Sequence, residues 1–268
     1  MSICLTMEEQ NPPIQTIKCQ PGYQEAYLST PADIAIGGGS AGAGKTYSLL
    51  LESIRNIGVK SFGGVIFRRT TSQITNEGGL WDTAANLYPL IGGHSKRSTL
   101  TWVFNPGTKI KFSHLEYEDN VTDWQGTQIP FIGFDKLTHF TKHQFLYLIG
   151  RNRSTSGVWP YIRATCNPDP DCWVAEFLEW WIDQEIGYPI PERSGVLRYF
   201  VNDSGNFVWG DTKEEVIEKC PHIFNRIDRV SGQSIAYTSR PGRTDVLHFG
   251  KVILPRSSLL RFLEQECL

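Results

Sequence analysis

The hydrophobic positions of this chain form short apolar runs separated by amphipathic segments, a pattern that predicts alternating strands and helices. Apolar runs of strand length occupy residues 32–36, 64–67, 130–134 and 161–165. Helical spacing follows at about 46–56, after the Thr141–Gln144 capping box, and at 172–184. Because strands alternating with helices form βαβ units, we expect an α/β fold whose mostly parallel sheet is flanked by helices.

Turn residues predict two hairpins and frame the organisation of the chain. Asn105-Pro106-Gly107 separates strand-like residues 101–104 from 108–112, and residues 203–206 separate 196–201 from 207–209. Residues 1–30 are interpreted as an N-terminal arm with a short helix at 23–28. Residues 31–220 form the predicted domain. Residues 221–268 contain strand-like pieces without a motif, so their role stays open.

A complete phosphate-loop motif lies between the first strand and the first long helix. Residues 39–46 match G-x-x-x-x-G-K-[ST]. Small residues let several backbone N–H groups point at one anion, and the helix N-terminus adds positive charge there. We therefore predict a P-loop NTPase whose lysine contacts the β- and γ-phosphates and whose threonine hydroxyl binds Mg²⁺. The predicted loop residues are Gly39, Ser40, Ala41, Gly42, Ala43, Gly44, Lys45 and Thr46.

An acidic residue at a second strand end completes the predicted magnesium site. Asp135 ends the apolar run 131–134, and a carboxylate delivered to the same sheet edge as the loop would bind the same Mg²⁺. ATPases of the helicase and translocase kind usually have a catalytic Glu next, but this chain has Lys136. An ammonium group cannot act as a general base. Another acid could serve instead, and the candidates are Glu116, Glu118 and Asp123.

Composition restricts the partners more than it defines them. The formal net charge is -2, with 26 Lys and Arg against 28 Asp and Glu, so any contact with nucleic acid must come from a local patch. The six cysteines lack zinc-site spacing and are interpreted as free thiols in a reducing compartment. No apolar stretch approaches the ~20 residues of a membrane span, and the N-terminus lacks signal-peptide features. We expect a soluble protein without membrane contact.

Several segments, in order, resemble the large terminase subunit of tailed phages or prophages over about residues 18–215. They are QPGYQEAYL, IGGGSAGAGKTYSLLLE, GVIFRRTTSQ, DWQGTQIPFIGFDKLTHFTKHQFLYL and RATCNPDP. The resemblance implies that Gln24 contacts adenine and that Thr165 and Asn167 sense the γ-phosphate. It also implies ATP and Mg²⁺ as cofactors, and a motor that moves double-stranded DNA into a procapsid. The implied partners are a portal protein, a small terminase subunit and further copies in a ring, in the cytoplasm of a host bacterium.

Two departures from the terminase pattern leave alternatives open. Lys136 replaces the expected Glu, so the chain is either an ATP-hydrolysing motor or a fragment that binds ATP with Mg²⁺ without efficient turnover. The family's nuclease domain is not expected, because the chain ends at Leu268 and shows no triad of nuclease acids. A helicase-type or metabolic P-loop enzyme would need motifs that are missing. Candidate arginine fingers are Arg68, Arg151, Arg153, Arg163 and Arg69, of which Arg69 and Arg151 rank first.

Overall fold

A computed structural model describes residues 17–39, 42–167 and 169–224, together with the backbone of 226–227, 234–235 and 252–253. The strands of its main sheet are β1 (Ile34–Gly37), β2 (Gly63–Arg68), β3 (His94–Lys96), β4 (Thr101–Val103), β5 (Lys109–His114), β6 (Phe131–Phe134), β7 (Tyr161–Thr165) and the backbone pair Val252–Ile253. Their order is Val252–Ile253, β1, β7, β6, β2, β5, β4, β3. Only β4 and β3 run antiparallel to their neighbours, so the mostly parallel sheet is confirmed.

Helices cover both faces of this sheet. The long helices are α1 (Tyr23–Ser29), α2 (Lys45–Ser53), α4 (Leu80–Leu87) and α5 (Lys142–Ile149), with shorter ones at α3 (Thr71–Thr75) and α6 (Trp173–Phe177). Leu49, Trp81 and Phe112 belong to the core on the α2 and α4 side. Phe134 and Phe145 belong to the core on the α5 side. Two-sided cover explains why the parallel strands are continuously apolar in the sequence. None of the helices in the described part of the chain is long and apolar enough to cross a bilayer.

A second, two-stranded sheet lies after α6. It consists of β8 (Tyr199–Asp203) and β9 (Asn206–Gly210), joined by the predicted turn, and is followed by α7 (Lys213–Lys219) and α8 (Pro221–Phe224). The hairpin is confirmed, although its first strand begins three residues later than predicted. The backbone pairs 226–227 and 234–235 form a small antiparallel ladder. The division of the chain into arm, domain and tail stays a prediction.

The single helix predicted over residues 172–184 is wrong. The α-helix ends at Phe177, a 3₁₀ turn follows at Glu179–Trp181, and Ile182 is extended and bridges to Pro189. Trp181 is fully buried, and its indole N–H donates to the carbonyl of Val196 at 3.1 Å. Burying that ring together with its polar N–H outweighs local helix propensity. The helices α3 and α4 were not predicted.

The capping box at α5 has a measurable stability contribution. Thr141 Oγ1 accepts from the N–H of Gln144 at 3.2 Å, and Gln144 Oε1 accepts from the N–H of Thr141 at 3.2 Å, as the sequence predicts. Thr141→Ala leaves one orphan N–H, so the free energy of unfolding should fall by about 1 kcal/mol in urea denaturation. Thr99→Ala, at an exposed hydroxyl, should stay within about 0.5 kcal/mol of the parent. Equal losses in both variants would contradict the capping role.

Candidate functional site

The strand order brings the predicted site residues to one edge of the sheet. β7 lies between β1 and β6, so Thr165 pairs with Gly37 on one side and Ala164 pairs with Phe134 on the other. Asp135 follows Phe134 directly, and its N–H donates to the carbonyl of Phe67 at 3.0 Å. All these strands are parallel, so their carboxyl ends meet at the edge where α2 begins.

Asp135 is the centre of a compact polar cluster. Its side chain is only 1% exposed. The hydroxyl of Thr165 lies 2.7 Å from Oδ1 of Asp135, and the hydroxyl of Thr46 lies 3.2 Å from the same oxygen. Nε of Arg68 lies 3.1 Å from Oδ2, an ion pair whose angle is outside hydrogen-bond geometry. A buried carboxylate needs such partners, since an unpaired charge in the interior is costly.

The loop before α2 has the backbone curvature that the motif predicts. Gly39, Gly42 and Gly44 have φ values of 137°, 82° and 71°, in the region that favours glycine. A Cβ on Gly44 would lie 2.4 Å from Nε2 of Gln24, so close approach as well as φ requires glycine there. Ser40 and Ala41 lie outside the described residues, while Ala43 is half-buried.

Lys45 is held inside this loop. Its Nζ donates to the carbonyl of Gly39 at 2.6 Å, and the residue is 8% exposed. Burial lowers the pKa of Lys45, and the nearby ammonium of Lys136 acts in the same direction. The side chain is thus folded back onto the loop at the position where a phosphate would lie.

Gln24 packs against the phosphate loop from α1. Its Nε2 donates to the carbonyl of Gly44 at 3.4 Å, and its Oε1 accepts from the N–H of Gln20 at 2.8 Å. Gln24 is 3% exposed, so both ends of its amide contact protein. Asn167 is half-buried two residues beyond β7, and Pro168 lies outside the described residues. The adenine contact and the sensor role stay predictions.

Lys136 occupies an unusual backbone conformation beside Asp135. Its φ is 65° and its ψ is 69°, the left-handed region that costs a side chain other than glycine about 1–2 kcal/mol. Its N–H donates to the hydroxyl of Thr165 at 2.9 Å. Partial burial and the Lys136 ammonium hold the pKa of His139 below its usual value, and the same ammonium acts on Lys45. The amine of Lys136 is therefore close to the phosphate loop.

The alternative acids lie on the other side of Arg68. β5 pairs with β2, placing His114 beside Arg68, and the three acids follow β5. Glu118 and Asp123 are exposed in the 3₁₀ segment Glu118–Trp124, and Glu116 is half-buried. In the part of the chain that the structure describes, none of the three contacts the Asp135 cluster.

Of the candidate arginines, Arg68 is the one that contacts Asp135. Arg69 donates to the carbonyl of Leu115 at 2.9 Å and to Gln144 at 3.2 Å, and Arg151 stacks on Tyr147. Arg163 pairs with buried Glu52, with 3.6 Å between Nε and Oε1. Sequence reasoning ranked Arg68 too low, because its contact follows from β2 lying next to β6.

The comparison with family models decides the affiliation. The model for the terminase large subunit, T4likevirus-type, N-terminal, matches residues 36–236. The chain belongs to this family. The resemblance inferred from the sequence is confirmed.

Solved structures of terminase proteins are similar to this family member at low identity. The large terminase ATPase domain of Thermus phage P74-26 is 14% identical, covers 62% of this chain and 71% of that one, and has a TM-score of 0.45. The N-terminal domain of the DNA packaging ATPase from bacteriophage phi29 is 13% identical over 62% and 90%, with a TM-score of 0.46. The large terminase from a thermophilic bacteriophage, in complex with ADP, is 18% identical over 59% and 41%, with a TM-score of 0.45. No curated protein matches the chain.

Proposed function

We propose that this terminase domain binds ATP with Mg²⁺ between the loop at 39–46 and the Asp135 cluster, and couples ATP hydrolysis to translocation of double-stranded DNA into a procapsid. The observation that carries the nucleotide site is the 3.2 Å approach of the Thr46 hydroxyl to Asp135. Thr46 begins α2 and Asp135 follows β6, eighty-nine positions later. A hydroxyl and a carboxylate from distant segments converge where the two halves of a P-loop site must meet.

The donor atoms of the cluster fit Mg²⁺. This ion takes hard oxygen ligands and uses one or two protein carboxylates together with phosphate oxygens and water. Thr46 Oγ1 and Asp135 Oδ1 are such donors, and their mutual contact at 3.2 Å is direct. When bound, Mg²⁺ would neutralise charge on the β- and γ-phosphate oxygens.

The residues of the chain suit the triphosphate in a similar way. Backbone N–H groups at the start of α2 and the curvature of Gly42 and Gly44 favour an anion. Lys45 would leave the Gly39 carbonyl and contact phosphate, exchanging a neutral acceptor for an anionic one. Thr165, bonded to both Asp135 and the N–H of Lys136, would transmit a change at the γ-phosphate to β7. Asn167 would extend that connection past the strand end.

A second candidate function follows from Lys136. Its amine acts electrostatically on Lys45, yet the acids that could replace the missing base lie beyond Arg68. A domain with this arrangement would bind ATP and Mg²⁺ but turn over slowly. The portal, the small terminase subunit and a homo-oligomeric ring belong to the first proposal, because they are partners of a working motor.

Calorimetric titration of ATP with and without Mg²⁺ tests the site. Thr46→Val keeps the shape of the side chain but removes the oxygen, so affinity in Mg²⁺ should fall about 10- to 100-fold and the gain due to Mg²⁺ should shrink. Thr71→Val is the matched control, because Thr71 is exposed at the start of α3 and bonds to His114. Its affinity should equal that of the parent. A parent that binds no ATP in Mg²⁺ would refute the proposed function.

A further inference from the structure

One end of the main sheet carries basic side chains on its outer face. Trp102, Ile110 and Phe112 point inward and are buried against α4. The alternate residues point the other way, and Lys109 and Lys111 of β5 are exposed. On this outer face, the cover over β2 includes Trp124, whose ring lies 5.0 Å from that of Phe67. Beyond Trp124, the outward residues of β5, β4 and β3 are exposed or half-buried.

The strand register places the basic residues in two adjacent rows. Lys96 pairs with Thr101, which pairs with Lys111, and His94 pairs with Val103, which pairs with Lys109. Neighbouring strands are about 4.8 Å apart and alternate residues about 7 Å apart. The three lysines and His94 therefore project from a patch of roughly 10 by 7 Å, which we call the lysine face.

The charge of the lysine face is not compensated locally. The chain has more acids than bases in total, yet no acidic residue stands between Asp82 and Glu116, a stretch that holds Lys96, Arg97, Lys109 and Lys111. Among the described residues, none of these lysines forms an ion pair. The acids of the segment Glu118–Trp124 bound the face on one side, where Lys111 stacks on Trp124 at 5.2 Å.

We propose that the lysine face is the surface on which this domain holds the phosphate backbone of double-stranded DNA. The proposal rests on the proposed DNA-motor function and assigns it a surface. Flexible ammonium groups contact phosphates as point charges without reading sequence, which suits a protein that must move along any DNA. The exposed hydroxyls of Ser95 and Ser98 add hydrogen-bond donors to phosphate.

The composition of the lysine face favours duplex DNA over other occupants. Single-strand binding uses exposed aromatic rings for base stacking, but Trp102 and Phe112 point into the core. Protein interfaces are depleted of lysine and have an apolar centre, and this face offers only half-buried Val103 there. A lysine on an edge strand also prevents sheet-to-sheet aggregation, which would account for Lys96. It does not account for Lys109 and Lys111, because β5 is an interior strand.

The test compares two triple variants of the full chain with equal charge change. One is Lys96→Gln with Lys109→Gln and Lys111→Gln; the control is Lys18→Gln with Lys213→Gln and Lys219→Gln, at exposed sites elsewhere. Binding to a duplex of random sequence is measured by fluorescence anisotropy from 50 to 200 mM salt. The lysine-face variant should bind roughly 10²- to 10³-fold more weakly at 50 mM, and its salt slope should be shallower by about 2.7. The control should retain at least about a tenth of the parent affinity.

Parallel titrations separate the possible outcomes. ATP binding, measured by calorimetry, should be the same in both triple variants and the parent, so loss of the nucleotide site is recognised independently. Equal loss of duplex binding in both variants, or no duplex binding by the parent at 50 mM salt, would overturn the proposal while leaving the ATP site intact. A lysine-face variant that loses binding to polyglutamate but keeps duplex binding would also overturn it, and would indicate an acidic protein partner.

Discussion

Lys136→Glu is expected to raise kcat for ATP hydrolysis by about 10²- to 10⁴-fold, the usual contribution of a general base. Lys136 directly follows Asp135, its backbone N–H bonds to Thr165, and its ammonium acts on Lys45. A carboxylate at the same position would be close to the γ-phosphate and could accept a proton from the attacking water. An ammonium has donors but no acceptor, so the parent cannot perform this step there.

Nucleotide affinity should change much less than kcat in this variant. Lys45, Thr46 and Asp135 are untouched, and Arg68, 3.1 Å from Asp135, offsets part of the added negative charge. The residue keeps its left-handed backbone in either form, so backbone strain does not differ between Lys and Glu. Steady-state kinetics gives kcat, and calorimetry gives the affinity for ATP with Mg²⁺.

Lys136→Gln is the matched control for this experiment. It removes the positive charge but supplies no base, so it should not reproduce the increase in kcat. If Lys136→Gln accelerates hydrolysis as much as Lys136→Glu does, the lysine inhibits through its charge alone. If the parent already turns over as fast as Lys136→Glu, position 136 is not the catalytic one, and Glu116, Glu118 and Asp123 become the candidates.

Lys45→Ala is expected to weaken ATP binding by roughly 10²- to 10³-fold, beyond the reach of routine calorimetry. Removing one partner of a buried charge contact costs about 2–5 kcal/mol, and each 1.4 kcal/mol is tenfold in affinity. Lys45 is 8% exposed and directed into the loop, so no other described lysine except Lys136 is near enough to replace it.

Lys60→Ala controls for the loss of one positive charge. Lys60 is exposed in the turn before β2, and its replacement should leave ATP affinity unchanged. Thermal unfolding of Lys45→Ala should show a cooperative transition, so that weak binding is not mistaken for an unfolded chain. An unaltered affinity in a folded Lys45→Ala protein would exclude the loop at 39–46 as the nucleotide site.

The local features of this protein follow from its sequence. The phosphate loop requires glycines and a following helix, the capping box of α5 requires Thr141 and Gln144 three residues apart, and the strands of the core require continuous apolar runs. Each of these signals spans fewer than about ten residues, so the backbone conformation depends on near neighbours. The family resemblance has the same origin, because it rests on an ordered set of short segments.

The tertiary structure decided the contacts between distant segments. The order of the strands places β7 between β1 and β6 and β2 beside β6, and only then does Arg68, rather than Arg69, contact Asp135. The burial of Trp181 ended a helix that the periodicity of residues 172–184 extends. The register of β3, β4 and β5 gathered lysines separated by up to fifteen positions onto one face. Strand order and register depend on burial across the whole sheet, which no short window of sequence contains.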